Sequence, residues 1–190
     1  MSESSAAQQQ LEQTIRNCTS VLQAGEIELD ALLDRADAWR QLGRYAEALS
    51  DYADAVREDK EEPAGYAGQA WIWATCPDPE FRDGQRAVKS ALKAYRMGDI
   101  MALAIDRETG KIDSDSSIFA TLAAAYAEVG KFDKARKVIA DGLLWAREES
   151  AKQQLQSYDE LYQKQQPYRE PAVPPELATL GKELSEEFAW

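Results

Sequence analysis

Few residues in this chain are placed to do chemistry. Asp106-Arg107-Glu108-Thr109-Gly110 and Asp113-Ser114-Asp115 raise the question of a calcium site. A helix-loop-helix calcium loop needs oxygen ligands at alternate positions, glycine at the sixth place and glutamate at the twelfth. That spacing fails here, and a turn followed by a helix cap accounts for the same residues. No metal and no other cofactor is expected. Histidine is absent, which removes the usual general base and the commonest metal ligand. Cys18 and Cys76 stand far apart without a C-x-x-C pair, each in an apolar helical setting. They read as buried thiols. With no phosphate-binding loop and no nucleophile–base pair in view, the chain is not expected to be an enzyme.

Charge narrows the partners. The 190 residues carry a net charge of −12, which disfavours nucleic acid and an anionic membrane surface. Basic or amphipathic protein partners remain open. The first sixty-two residues hold fourteen acids against six bases, and residues 63–145 are balanced. No apolar run of signal-peptide or membrane-spanning length occurs, so a cytoplasmic protein is expected.

The elements that must position any surface are helical. Apolar residues recur near every 3.6 positions. The pattern predicts helices over 8–24, 29–41, 45–58, 63–76 and 85–96. Residues 1–7 are expected to be disordered. Pro63 to Cys76 is apolar nearly all round, as for a helix in the middle of a stack. Residues 100–112 alternate an apolar run with a turn-like segment, and a small β-hairpin is expected there. Ser116 to Leu144 reads as two helices joined at Gly130. A long polar helix follows to about 166, with Trp145, Leu155, Tyr158, Leu161 and Tyr162 as its stripe. Residues 167–175 read as a Pro-rich linker. Residues 176–190 form a last amphipathic helix with Leu177, Leu180, Leu184 and Phe188 on one side.

Aligned to itself, the chain repeats. Trp39, Leu42, Gly43, Tyr45, Ala48, Tyr52 and Ala55 match Tyr126, Val129, Gly130, Phe132, Ala135, Ile139 and Gly142 with identical spacing. Thr14, Cys18 and Val21 share the Ala48-Tyr52-Ala55 spacing 34 residues earlier. Ala87, Ala91 and Ala94 share it 39 residues later, because the segment from Pro77 to Phe81 adds five residues. A helix-turn-helix period of 34 with these residues resembles the tetratricopeptide repeat. The stretches Ala74–Val88 and Thr121–Ala135 further resemble tetratricopeptide proteins of planctomycete-type bacteria. The resemblance implies an all-α fold, an α-solenoid of antiparallel helix pairs. A half-repeat at 8–25, repeats at 29–62, 63–98 and 116–147 and a capping helix at 146–166 would make a domain over 8–166. Arg35 departs from the family's usual Leu, and its stem is expected to snorkel.

In such a stack the first helix of each repeat lines a concave groove. The residues this implies are Asp30, Leu33, Asp34, Asp37 and Gln41, then Trp71 and Thr75, then Ala120, Thr121, Ala124, Ala127 and Glu128. Ala67, Ala74 and Ser117 fall on the same implied faces. The acids would favour a basic partner, and the small residues beside a Trp would accept a helix or an extended peptide. Family members that hold an acidic carboxyl tail use a basic clamp. The matching positions here, Asp30, Leu33, Asp37, Gly68, Ser117 and Thr121, do not form one. The expected function is a non-catalytic adaptor or scaffold that binds a peptide or helix. Two alternatives stay open. One is a self-assembling subunit, a homo-oligomer joined through a docking tail at Leu177, Leu180, Leu184 and Phe188. The other is a secretion-type chaperone for hydrophobic client segments.

Overall fold

The computed structural model describes residues 3–25, 28–109 and 116–188, and the side chains among them except those of 3–5 and 99–116. Its helices are α1 (Glu3–Gln23), α2 (Leu29–Gln41), α3 (Tyr45–Glu58), α4 (Pro63–Thr75), α5 (Gly84–Thr109), α6 (Ser116–Glu128), α7 (Phe132–Trp145), α8 (Glu149–Gln163) and α9 (Pro175–Glu187). A 3-10 turn spans Pro79–Phe81. The described residues contain no strand, and none of their helices is long and apolar enough to cross a membrane. The chain divides into two compact units. The first is Met1–Lys60 with Pro171–Trp190, and the second is Glu61–Glu170.

Helix ends follow local chemistry. Pro63 and Pro175 open α4 and α9, where a missing N–H costs nothing because the first turn has no partner for it. The Asp83 carboxylate accepts from the N–H groups of Gln85 (3.1 Å) and Arg86 (3.0 Å) and so starts α5. One joint recurs between paired helices. The Arg44 N–H donates to Trp39 O (2.8 Å) and the Gly43 N–H to Arg40 O (3.0 Å). Eighty-seven residues on, the Lys131 N–H donates to Tyr126 O (2.9 Å) and the Gly130 N–H to Ala127 O (3.0 Å). The two glycines hold φ of 73° and 72°, a left-handed conformation that glycine reaches without steric cost. The five added residues loop out between α4 and α5. The Asp83 N–H still donates to Trp73 O (3.0 Å), closing the same kind of joint across a longer connection.

In the first unit α1 packs on α2, α2 on α3, and α9 on α1. Ile15, Leu32, Ala36, Trp39, Leu42, Ala48, Tyr52, Ala55 and Leu184 are buried. In the second unit α6 is the central element, packed by α4, α5, α7 and α8. Every residue from Phe119 to Ala125 is buried. Alanines make that possible. Ala70 and Ala74 of α4, Ala87 and Ala91 of α5, and Ala124 and Ala125 of α6 share one cluster, where a side chain of one carbon lets helix backbones approach closely. Tyr95 meets Phe119 edge-on, ring centroids 5.5 Å apart.

Several expectations change. Residues 100–109 continue α5 as helix and do not form a β-hairpin; Gly110 to Ile112 and the caps expected at Ser114 or Asp115 lie outside the described residues. Met101, Ala102, Leu103, Ala104, Arg107 and Glu108 are good helix formers, and the single Gly98 is too small a penalty to stop the helix. The turn expected over Asp106 to Thr109 is helical for the same reason. The first helix begins at Glu3, ahead of Gln8. The helix surrounded on all sides is α6, whereas Trp71 and Trp73 of α4 stay partly exposed. Trp145 ends α7 and is 43% exposed, so it takes no part in the stripe of α8. Cys18 and Cys76 are buried and neither is joined in a disulfide, and burial pushes the Cys18 thiol up.

Candidate protein-interaction surface

The first unit presents an acidic helix face. Asp30, Asp34, Asp37 and Gln41 of α2 are exposed and Leu33 is half-buried. Spacings of four and three residues, about two turns of helix, bring the three carboxylates to one side. Asp37 is not free for a partner alone. It accepts from the Tyr52 hydroxyl at 2.5 Å and lies 3.8 Å from the Arg40 guanidinium. Burial, then the Asp37 charge, drives the Tyr52 hydroxyl strongly upward, so it stays a donor. Behind that face Arg35 does not snorkel. Its guanidinium makes two 2.8 Å hydrogen bonds to the Asp51 carboxylate and one of 3.2 Å to Thr19 Oγ1. Asp51 and Thr19 are 5% and 2% exposed. A shallow cleft of about 540 Å³ lined by Thr19, Leu22, Gln23 and Arg35 opens beside this pair.

The C-terminal helix, for which the sequence left docking and folding back equally open, packs within its own unit. Leu184 is 2% exposed, while Leu177, Leu180 and Phe188 are half-buried. Gly181 sits so close that an added Cβ would stand 2.8 Å from Leu42 O. Arg16 donates to both Glu187 oxygens (2.5 and 2.9 Å) and lies over the Phe188 ring. Ser185 donates to Glu47 at 2.6 Å and accepts from Arg44 at 2.8 Å.

In the second unit the small-residue face expected to be open is covered. Thr75, Ala120, Thr121, Ala124 and Ala127 are all 7% exposed or less. Ala120 and Ala127 belong to a cluster with Tyr158 and Tyr162 of α8. Ala124 joins the cluster shared with α4 and α5. The Thr75 hydroxyl donates back to Trp71 O at 2.8 Å. The reason is α8, which packs on α6 and brings two tyrosines onto it. Burial, then the neighbouring Tyr168, pushes the Tyr158 hydroxyl up to about 12.

Trp71 and Glu128 remain at the edge, and there the chain meets itself. Tyr168-Arg169-Glu170, outside regular secondary structure, lies against the C-terminal ends of α4 and α6. Trp71 Nε1 donates to Glu170 Oε1 at 2.8 Å. The Glu170 N–H donates to Thr75 O at 2.9 Å, and Arg169 Nη1 to Ala74 O at 3.1 Å. Arg169 Nη2 lies 2.5 Å from Glu128 Oε2, and Arg82 Nε lies 3.6 Å from the same carboxylate's other oxygen. The Tyr168 ring packs on Tyr158 and Trp71, centroids 4.7 and 5.9 Å apart.

The last carbonyls of a helix have no partner within it and must find one elsewhere. Here the search is complete. Ile72 O accepts from the Cys76 N–H, Trp73 O from the Asp83 N–H, Ala74 O from Arg169 and Thr75 O from the Glu170 N–H. Cys76 O and Pro77 O both accept from Arg82 Nη1. The two guanidiniums also stand where helix dipoles present negative ends.

Of the residues gathered here the sequence pattern singles out Trp71 and Glu128 as groove residues and Tyr158 only as part of an apolar stripe, and it gives Tyr168, Arg169, Glu170 and Arg82 no part. The available signal was an aromatic, a base and an acid bracketed by Pro167 and Pro171, read as a linker. Set against protein-family models, curated proteins and solved structures, the chain matches none of the three.

Proposed function

We propose that this chain is a non-catalytic protein–protein interaction module of the tetratricopeptide kind, an adaptor or scaffold of the cytoplasm built from about three helix pairs of an α-solenoid. The observation that carries this reading is the recurring helix joint. The same two backbone hydrogen bonds and the same left-handed glycine join α2 to α3 and α6 to α7, eighty-seven residues apart. The alanines of the repeat pattern support it. Ala48, Ala55, Ala87, Ala91, Ala94 and Ala135 are all at most 1% exposed, as expected where helix pairs stack through small residues.

Function then follows from what stacking leaves outside. Asp30, Asp34 and Gln41 are exposed on a rigid helix, so a basic or amphipathic partner can bind without ordering the module first. The test begins with capture of a partner from the source cell and measurement of its affinity for the purified chain. Asp30→Lys/Asp34→Lys, which spares Asp37 and its bond to Tyr52, is expected to weaken that affinity about tenfold at low salt and less at high salt. An unchanged affinity, with helicity intact by circular dichroism, overturns the site.

A further inference from the structure

We propose that the C-terminal ends of α4 and α6 form a docking site for an extended peptide carrying an aromatic–arginine–acidic triplet, and that Tyr168-Arg169-Glu170 occupies it as a built-in competitor. The inference deepens the interaction-module reading and rests on it.

Each residue of the triplet meets a different feature of the helices. The aromatic ring meets Trp71 and Tyr158. The guanidinium meets Glu128 and Ala74 O. The carboxylate accepts from the Trp71 indole, and the main-chain N–H of the same residue reaches Thr75 O. An arginine flanked by an aromatic and an acid is what this surface reads, and a lysine would lose the planar fork that sets one nitrogen on Ala74 O and the other in ion-pair contact with Glu128. The surface itself is built by α4, α6 and α8, with Arg82 as a fixed second cation beside Glu128. When the triplet leaves, Ala74 O and Thr75 O lose their donors and Glu128 keeps only the 3.6 Å contact. Those vacated acceptors favour replacement by a chain of the same chemistry.

The occupant is arranged to come off as a piece. It lies outside regular structure and is bracketed by Pro167 and Pro171, which hold a segment extended and lower its ordering cost as a ligand. It leaves α8 through Gln165, a non-glycine residue at φ 55°, so the point of departure is strained. Tyr168 follows the end of α8 by only five residues, which keeps the triplet at an effective concentration on the millimolar scale. A partner supplying the triplet in trans must outcompete that, and the intact chain binds such a partner weakly until the competitor is disabled.

The experiment uses a labelled, end-capped peptide of residues 166–171 and the full chain, read by fluorescence anisotropy. The variant Tyr168→Ala/Arg169→Ala/Glu170→Ala is expected to bind it at least ~10-fold more tightly than the unaltered chain. A scrambled peptide, or Glu128→Gln added to the variant, should remove the gain. A folded triple variant that ignores the peptide overturns the proposal and leaves the segment a structural staple. Should the triple variant fail to fold, hydrogen exchange on the unaltered chain decides. Excess peptide must speed exchange of the Glu170 amide, and unchanged protection overturns the proposal. Asp30→Lys/Asp34→Lys is expected to leave peptide binding unaltered. Loss of the triplet site therefore reads separately from loss of the acidic face.

Discussion

At the scale of single residues, Arg35 and Asp51 show where sequence logic is weakest. A helix-pair pattern with an Arg in an apolar place suggests a side chain reaching for water. The structure instead gives the guanidinium a carboxylate on the neighbouring helix, with two bonds of 2.8 Å. Burial raises the Asp51 carboxyl, and the Arg35 hydrogen bonds pull it back. A buried pair gains little over an apolar one, but half a pair is costly. Arg35→Leu alone should destabilise the chain by about 3–5 kcal/mol in urea unfolding, and Arg35→Leu/Asp51→Ala should recover most of that loss. Equal losses in the single and double variants would mean that the pair does not set the cost. The partner was in principle readable, since Arg35 and Asp51 lie sixteen residues apart on the two arms of one predicted hairpin. What the pattern lacked was any measure of depth. Spacing says which side a residue occupies, and only packing says how far from water it sits.

At the scale of elements, the glycines separate propensity from packing. Gly98 lies inside α5 and Gly142 inside α7, and in a helix interior glycine costs about 1 kcal/mol against alanine. A Cβ on Gly98 would meet Ile118 Cδ1 at 2.9 Å, the movable end of a side chain. A Cβ on Gly142 would meet Phe119 Cβ at 2.8 Å and Cγ at 3.0 Å, atoms fixed by the backbone of α6. Gly98→Ala should therefore raise stability by about 0.5–1 kcal/mol. Gly142→Ala should lower it by about 1–2 kcal/mol, because overpacking outweighs the helix gain. Thermal midpoints that move in the same direction would refute the distinction. Most helices were legible in the sequence because their apolar spacing and their proline, glycine and aspartate boundaries agree. The stretch after Gly98 was not, since one glycine and a short apolar run suit a strand or a helix equally and only the continuing α5 decides. The covered face of α6 was also illegible. An alanine face looks open until something packs on it, and the covering helix α8 reads as polar on its own.

At the scale of the whole chain, pH acts through charge and through particular contacts, with opposite signs. The net charge of −12 fades as pH falls toward the isoelectric point near 4.6, which relieves self-repulsion and favours the compact state. Below that range specific pairs take over. Arg16 hydrogen bonds hold the Glu187 carboxyl below its usual value. Burial resists ionisation of Glu47 and Asp159. Hydrogen bonds from Ser185 and Arg44 in the first case, and from Arg136 and Gln163 in the second, outweigh it. A carboxyl lowered by folding adds stability above its unfolded value and loses it as pH falls through the folded one. Asp51, raised by burial, costs stability as pH rises through its own window and so gives a little back in acid. Two of the three lowered groups, Glu47 and Glu187, hold α9. The thermal midpoint should stay level or rise between pH 7 and about 5 and fall below about 4. In that acid limb amide exchange should show α9 losing protection before α6, because α9 is tied through titrating contacts at its edge and α6 through apolar packing on every side. Glu187→Gln should shrink the acid step at α9 and leave α6 unchanged. Equal protection of α9 at pH 3 and pH 7 would show that Leu184 and Gly181, rather than the two carboxylates, secure the helix.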